Sequence, residues 1–145
     1  MTTLSDGDKV AIASLTQKVL ASWAYHDAET FASVFTEDGT MTLPGVHLKG
    51  RAQVQEYLVA AFKGVYKGTQ VAGKPIDLRP LGPDAAVLIS LGGILESGES
   101  EVAHHSEVRA AWIVARDNGQ WKVAAYMNTP LHAEGFIAKT EPWAA

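Results

Sequence analysis

Cysteine is absent from the chain, which excludes disulfide bonds, thiolate metal ligands and a cysteine nucleophile. No cluster of lysine and arginine occurs either, and the formal net charge is −4. A basic surface that binds nucleic acid or anionic membrane is therefore not expected. No apolar run approaches the roughly 18 residues of a membrane span, and the first residues lack the pattern of a signal peptide. These absences predict a soluble cytoplasmic protein.

The composition that remains is typical of one globular domain. The chain has 145 residues, of which 47% are apolar and 19% charged, enough for a core of ordinary size. No repeat, linker or low-complexity stretch interrupts it. We therefore predict a single domain over residues 1–145, with residues 130–145 as a C-terminal tail.

Local signals predict three helices in the first half of the chain. Ser5 and Asp8 resemble a capping box, and apolar residues follow at spacings of three and four. Asp27 is typical of the N-cap of a short second helix. A turn and a short strand are predicted over residues 37–43, and Gly50 precedes a third helix.

The second half of the chain predicts strands. From Thr69 the apolar period changes to two, which indicates four consecutive strands, and Asn118-Gly119 is a strong hairpin signal. Strands without helical crossovers favour an antiparallel sheet with the helices on one face. The predicted fold is α+β: a cone-shaped, strongly curved antiparallel or mixed sheet on three N-terminal helices, with a cavity inside.

Several motifs, taken in order, resemble the SnoaL-like members of the nuclear transport factor 2-like superfamily. They are Trp23 with Asp27, FTEDG at 35–39, a glycine before the third helix, and RDNGQW at 116–121 followed by NT at 128–129. The closing NGQWKVAAYMNTP looks most like the SgcJ/EcaC branch, which includes small proteins of enediyne polyketide gene clusters. The resemblance implies a cystatin-like fold with an apolar pocket for a polyketide or polyene intermediate of antibiotic biosynthesis.

The ketosteroid isomerase relatives provide a test of chemistry. Their general base is an Asp before a Pro at the end of the first strand, which corresponds here to Leu43. Their oxyanion-binding Tyr corresponds to Val19. Because the chemistry of that site needs a carboxylate and acidic donors, steroid isomerisation is not expected.

The segment EVAHHSEVRAAW, residues 101–112, places ionisable residues at the head of an apolar strand. The resemblance places the parity of Ala111 toward the cavity, so His105, Glu107 and Arg109 would form an inward ladder. Glu107 would orient His105 and pair with Arg109, which suits cofactor-free cyclisation, isomerisation or dehydration. The alternative is a solvated, structural set of charges on a non-catalytic protein that receives or shapes the product of a partner polyketide synthase.

The predicted pocket is lined by apolar residues and one amide, Asn128. Because strand ends twist, the sequence leaves open on which face of the strand Asn128 lies. Strict alternation from Trp121 places Met127 on its face and Asn128 on the opposite one. The predicted ligand contacts are Val19, Trp23, Met41, Leu43, Tyr57, Phe62, Ala111, Met127 and Asn128. No metal or cofactor is predicted, because HExxH is absent, successive histidines on a strand diverge and the others are scattered.

The opposite parity of the same strand predicts a dimer. Val108, Ala110, Trp112 and Val114 would form an apolar patch on the face away from the helices, where polar residues are usual. A patch of this size usually marks an interface, so we predict a homodimer through the convex face of the sheet. The C-terminal tail could instead cover this patch or the mouth of the pocket.

Overall fold

The computed structural model describes residues 4–132, and over that range the chain forms three α-helices and one six-stranded sheet. The elements are α1 (Asp6–Ala24), α2 (Ala28–Ser33), β1 (Phe35–Leu43), β2 (Val46–Lys49), α3 (Arg51–Ala61), β3 (Gln70–Pro80), β4 (Ala85–Leu95), β5 (Glu107–Asp117) and β6 (Gln120–Pro130). The sheet order is β2-β1-β6-β5-β4-β3, and only β1 and β6 pair in parallel. The predicted α+β class is confirmed. The predicted tail lies outside the described residues from position 133 onward.

Helix α1 begins at the predicted capping box. Ser5 Oγ accepts a hydrogen bond from the Asp8 amide, and the Asp8 carboxylate accepts one from the Ser5 amide. The same carboxylate accepts hydrogen bonds from Trp121 Nε1 at 3.1 Å and Arg116 Nη2 at 2.8 Å. These contacts, the Trp121 bond foremost, lower the pKa of Asp8 to about 2. They attach the start of the helix to the β5–β6 hairpin.

The helices cover one face of the sheet, and this face carries Ala110, Trp112 and Val114. All three are buried and belong to one core with Ile12 and Val19 of α1. The prediction that they form an exposed convex patch is therefore wrong. The large apolar side chains of β5 share this core with the apolar stripe of α1, which would otherwise remain in water.

A bulge in β6 reverses the alternation of its side chains. Ile113 pairs with Ala125 but Val114 pairs with Val123, so Ala124 is an extra residue in the strand. After the bulge, Met127 is 44% exposed. The prediction that Met127 shares the face of Trp121 is therefore wrong.

Strand β1 is longer than predicted, and it begins at Phe35. The predicted turn at 37–39 lies inside the strand as an irregularity in its pairing with β6. Gly39 permits this close approach, because a Cβ there would lie 2.9 Å from the carbonyl oxygen of Val123. The strand continues through a tight turn into the short β2, which the sequence did not reveal. No helix among residues 4–132 is long and apolar enough to cross a membrane.

Candidate functional site

A cavity of about 270 Å³ lies between α1, α2 and the covered face of the sheet. Most of its wall is apolar because it is a widening of the hydrophobic core. Residues that contribute to this wall include Val19, Trp23, Met41, Leu43, Ala110 and Trp112. Four of them are predicted ligand contacts, and the structure places them around one space.

Four other predicted ligand contacts lie outside the cavity wall. Tyr57 is one layer behind it, with its hydroxyl 3.5 Å from that of Tyr66, which does line the cavity. Phe62 supports Trp23 from behind, with 5.2 Å between ring centroids. Ala111 and Met127 are register partners on the opposite face of the sheet.

Two glycines form part of the cavity wall at strands β3 and β4. Gly73 and Gly92 are register partners and both line it. A Cβ on Gly92 would lie 2.0 Å from the carbonyl oxygen of Ala72. A side chain therefore cannot be added there without moving the backbone, so Gly92 permits the close approach of β3 to β4.

Tyr126 and Asn128 form the main polar feature of the cavity floor. Asn128 Nδ2 donates a hydrogen bond to Tyr126 Oη at 3.0 Å. Asn128 Oδ1 is buried and has no hydrogen-bond partner among the described residues. Leaving a buried acceptor unpaired costs about 1–3 kcal/mol, so the atom is suited to a donor supplied by a ligand. The bulge at Ala124 is what turns both side chains inward.

The Tyr126 hydroxyl can donate a hydrogen bond at neutral pH. Desolvation by burial raises the pKa of Tyr126, and the hydrogen bond from Asn128 offsets this only in part. The phenol therefore stays protonated, and its proton is not used in the bond from Asn128.

Close by, Ser90 Oγ accepts a hydrogen bond from Trp112 Nε1 at 2.9 Å, and Ser90 is the cross-strand neighbour of Ala110. Sequence reasoning missed Tyr126 and Ser90, because both stand in otherwise apolar strands.

The predicted ladder of His105, Glu107 and Arg109 is not formed. Residues His104–Ser106 form a 3₁₀ helix, so strand alternation begins only at Glu107. His105 and Glu107 line the cavity at its edge, whereas Arg109 is exposed on the other face of the sheet. The Glu107 carboxylate accepts a hydrogen bond from His132 Nε2 at 2.9 Å. The expectation that Arg109 pairs with Glu107 inside the cavity is wrong.

Comparison with known proteins supports the same architecture. A family model described as a SnoaL-like domain matches residues 7–127. No curated protein is significantly similar to the chain in sequence. Among solved structures, a domain of unknown function with a cystatin-like fold from Nostoc punctiforme has a TM-score of 0.84 at 23% identity, covering 90% of this chain and 82% of that one.

Two further solved structures have names that suggest chemistry. A ketosteroid isomerase-like protein from Erwinia carotovora atroseptica has a TM-score of 0.70 at 15% identity, covering 89% of this chain and all 100% of that one. A candidate scytalone dehydratase from Novosphingobium aromaticivorans has a TM-score of 0.68 at 17% identity, covering 88% and 90%. At such identities the likeness establishes the fold alone.

Proposed function

The chain belongs to the family of SnoaL-like domains, and on that premise we propose that its cavity binds a carbon-rich small molecule with one polar end. The observation that carries the proposal is the Tyr126–Asn128 pair, a donor and an unpaired acceptor in a mostly apolar wall. Pockets of this composition bind by enclosure and use a few polar groups to orient the ligand. The pair suits a hydroxyl group, which can accept from Tyr126 and donate to Asn128 Oδ1.

The proposed ligand class is a polyketide or polyene intermediate, and the setting is cytoplasmic natural-product biosynthesis of the enediyne type. The resemblance of the closing NGQWKVAAYMNTP to the SgcJ/EcaC branch supports this assignment. The cavity volume of about 270 Å³ favours a compact, polycyclic ligand over a long chain. In the simplest form of the proposal, the protein receives or shapes the product of a partner polyketide synthase without a chemical step of its own.

We test the polar pair with 2-naphthol and naphthalene, which differ by one hydroxyl. The protein should bind 2-naphthol about tenfold more tightly, because one satisfied buried hydrogen-bond group contributes about 1.4 kcal/mol. Tyr126→Phe and Asn128→Leu should each remove that preference and leave naphthalene binding nearly unchanged. Quenching of the fluorescence of Trp23 and Trp112, which line the cavity, reports both affinities.

The exposed Thr129 provides the control for this test, because it is next to Asn128 in β6 and pairs with Arg109. Thr129→Val should retain the preference for 2-naphthol. Equal affinity for the two compounds in the unmodified protein, or a preference that survives both Tyr126→Phe and Asn128→Leu, would remove the pair from the binding site.

Cofactor-free catalysis of isomerisation, cyclisation or dehydration is the second candidate function. It is favoured by the protonated Tyr126 hydroxyl, which can polarise a ligand carbonyl in a water-poor site. His105, at the edge of the cavity, is the proposed proton carrier. In a reconstituted pathway, His105→Ala should lower product formation at least about a hundredfold, in keeping with the contribution of general acid–base groups. Arg109→Ala, on the other face, should not. If His105→Ala yields as much product as the unmodified protein, the catalytic function is rejected and binding remains as the proposed function.

We also propose that two copies pair through the outer face of the sheet. The outer face carries odd-numbered residues of β5, whereas even-numbered ones were expected there from the sequence. It is nevertheless apolar. Its apolar side chains, all partly or well exposed, include Val87, Ile89, Ala111, Ile113 and Met127. A contiguous apolar face of this kind suits an isologous contact between two sheets.

A further inference from the structure

Glu107, at the edge of the cavity, lies together with His104 and His132. His132 Nε2 is 2.9 Å from Glu107 Oε1, and His104 Nδ1 is 3.9 Å from the same oxygen. One potential ligand atom from each residue lies within 4.8 Å of the other two. The two imidazole rings are stacked, with centroids 3.6 Å apart. This cluster, named here the His–Glu–His cluster, is distinct from the Tyr126–Asn128 pair.

The fold brings these residues together across 25 to 28 positions of sequence. Val108 pairs with Pro130 at the open end of the β5–β6 hairpin. The Leu131 amide then donates a hydrogen bond to the Glu107 carbonyl oxygen at 2.9 Å, which holds His132 beside Glu107. His104 reaches the same place because the 3₁₀ helix His104–Ser106 turns the chain just before β5. Two of the three side chains are thus positioned by backbone pairing.

We propose that the His–Glu–His cluster binds a divalent transition-metal ion such as Zn²⁺ or Ni²⁺. Two imidazole nitrogens and one carboxylate oxygen are ligands that these ions prefer, whereas Mg²⁺ and Ca²⁺ select oxygen ligands. The Glu107 carboxylate supplies negative charge, and no lysine or arginine among residues 4–132 forms an ion pair with it. Three protein ligands leave a coordination position for water or for an oxygen of a molecule in the cavity.

Binding requires one specific rearrangement. Metal–ligand bonds of about 2.0–2.2 Å place ligand atoms roughly 3.3 Å apart in a tetrahedral site. Stacked rings have parallel planes and cannot both direct an in-plane nitrogen at one ion, so one ring must turn. The His104 side chain is 71% exposed, and packing therefore does not oppose its rotation. His132 Nε2 and Glu107 Oε1, now 2.9 Å apart, need to separate by only a few tenths of an ångström.

Isothermal titration calorimetry of the full chain with ZnCl₂, without an affinity tag, tests this site. We expect one ion per chain, no binding of Mg²⁺, and an affinity at least about tenfold lower in His104→Ala and in His132→Ala. His47→Ala is the control, because His47 is an exposed histidine of β2 that hydrogen-bonds Thr42 away from the cluster. That variant should bind Zn²⁺ like the unmodified protein.

His104→Ala is the decisive variant, because it leaves the hydrogen bond from His132 to Glu107 in place and removes an exposed side chain. Added Zn²⁺ should raise the thermal midpoint of the unmodified protein and of His47→Ala but not that of His104→Ala. Absence of Zn²⁺ binding overturns the proposal. So does binding that His104→Ala and His132→Ala leave unchanged, or that His47→Ala weakens equally. None of these outcomes depends on the identity of the organic ligand.

Discussion

Trp112→Glu should unfold the protein or lower its thermal midpoint severely, whereas Ala111→Glu, one residue away, should lower the midpoint far less. Trp112 is 8% exposed, its ring packs edge-on against Tyr126, and its Nε1 donates to Ser90. Truncation of a buried Trp costs about 3–5 kcal/mol, and burying an unpaired carboxylate adds to that cost. The sum approaches the total stability of a typical domain, about 5–15 kcal/mol.

Thermal denaturation followed by circular dichroism measures the effect, and light scattering adds a second readout. Since Ala111 lies on the proposed dimer face, Ala111→Glu should reduce the mass in solution from twice the 15.5 kDa of the chain to that of one chain. A folded Trp112→Glu variant whose mass is halved would instead restore the outward assignment of Trp112. An unmodified protein that stays at 15.5 kDa at high concentration would contradict the dimer proposal. The comparison of thermal midpoints would still test which face of β5 is buried.

Ala110→Phe should weaken binding of 2-naphthol roughly a hundredfold while the protein remains folded. Ala110 is 3% exposed, lines the cavity and lies between Ser90 and Asn128 across three strands. A phenyl ring at this position occupies much of a space of about 270 Å³ and covers the polar pair. Loss of about 100 Å² of apolar contact at about 25 cal/mol per Å² weakens binding roughly a hundredfold.

The matched control is Ala111→Phe, which adds the same ring on the other face of β5. It should bind 2-naphthol with unchanged affinity in the tryptophan fluorescence titration. Overpacking typically costs about 1–3 kcal/mol, so circular dichroism must show that Ala110→Phe is folded. Undiminished binding by a folded Ala110→Phe variant would place the ligand outside this cavity.

The features that were predicted correctly from the sequence are local, since each depends on residues that are close together along the chain. The capping box of Ser5 and Asp8 and the N-cap Asp27 form as expected. At the hairpin signal, Asn118 and Gly119 adopt φ of 52° and 79°, as a tight turn requires. Five of the six strands and the fold class followed from the same local patterns, and the short β2 was missed.

The orientation of β5 could not be predicted from its own residues. Both faces are apolar, with Trp112 and Val114 on one and Ala111 and Ile113 on the other, so a period of two does not distinguish inside from outside. The choice depends on packing against α1, about 90 residues earlier in the chain. Arg109 was assigned to the cavity through the same error of parity.

Two further features have no sequence signal of the usual kind. The bulge at Ala124 contains neither Gly nor Pro, yet it decides that Tyr126 and Asn128 face the cavity. The His–Glu–His cluster depends on strand pairing, which places His132 beside His104 although histidines looked scattered along the chain. Both are consequences of register, and register is set by the whole sheet.

A crystal structure of the protein with 2-naphthol tests the central claim most directly, namely that the cavity binds a carbon-rich molecule oriented by Tyr126 and Asn128. We expect the ring system against Trp23 and Ala110, with the hydroxyl oxygen within hydrogen-bonding distance of both Tyr126 Oη and Asn128 Oδ1. Electron density for the ligand on the outer face of the sheet, or in the cavity with its hydroxyl directed away from both side chains, would contradict the account.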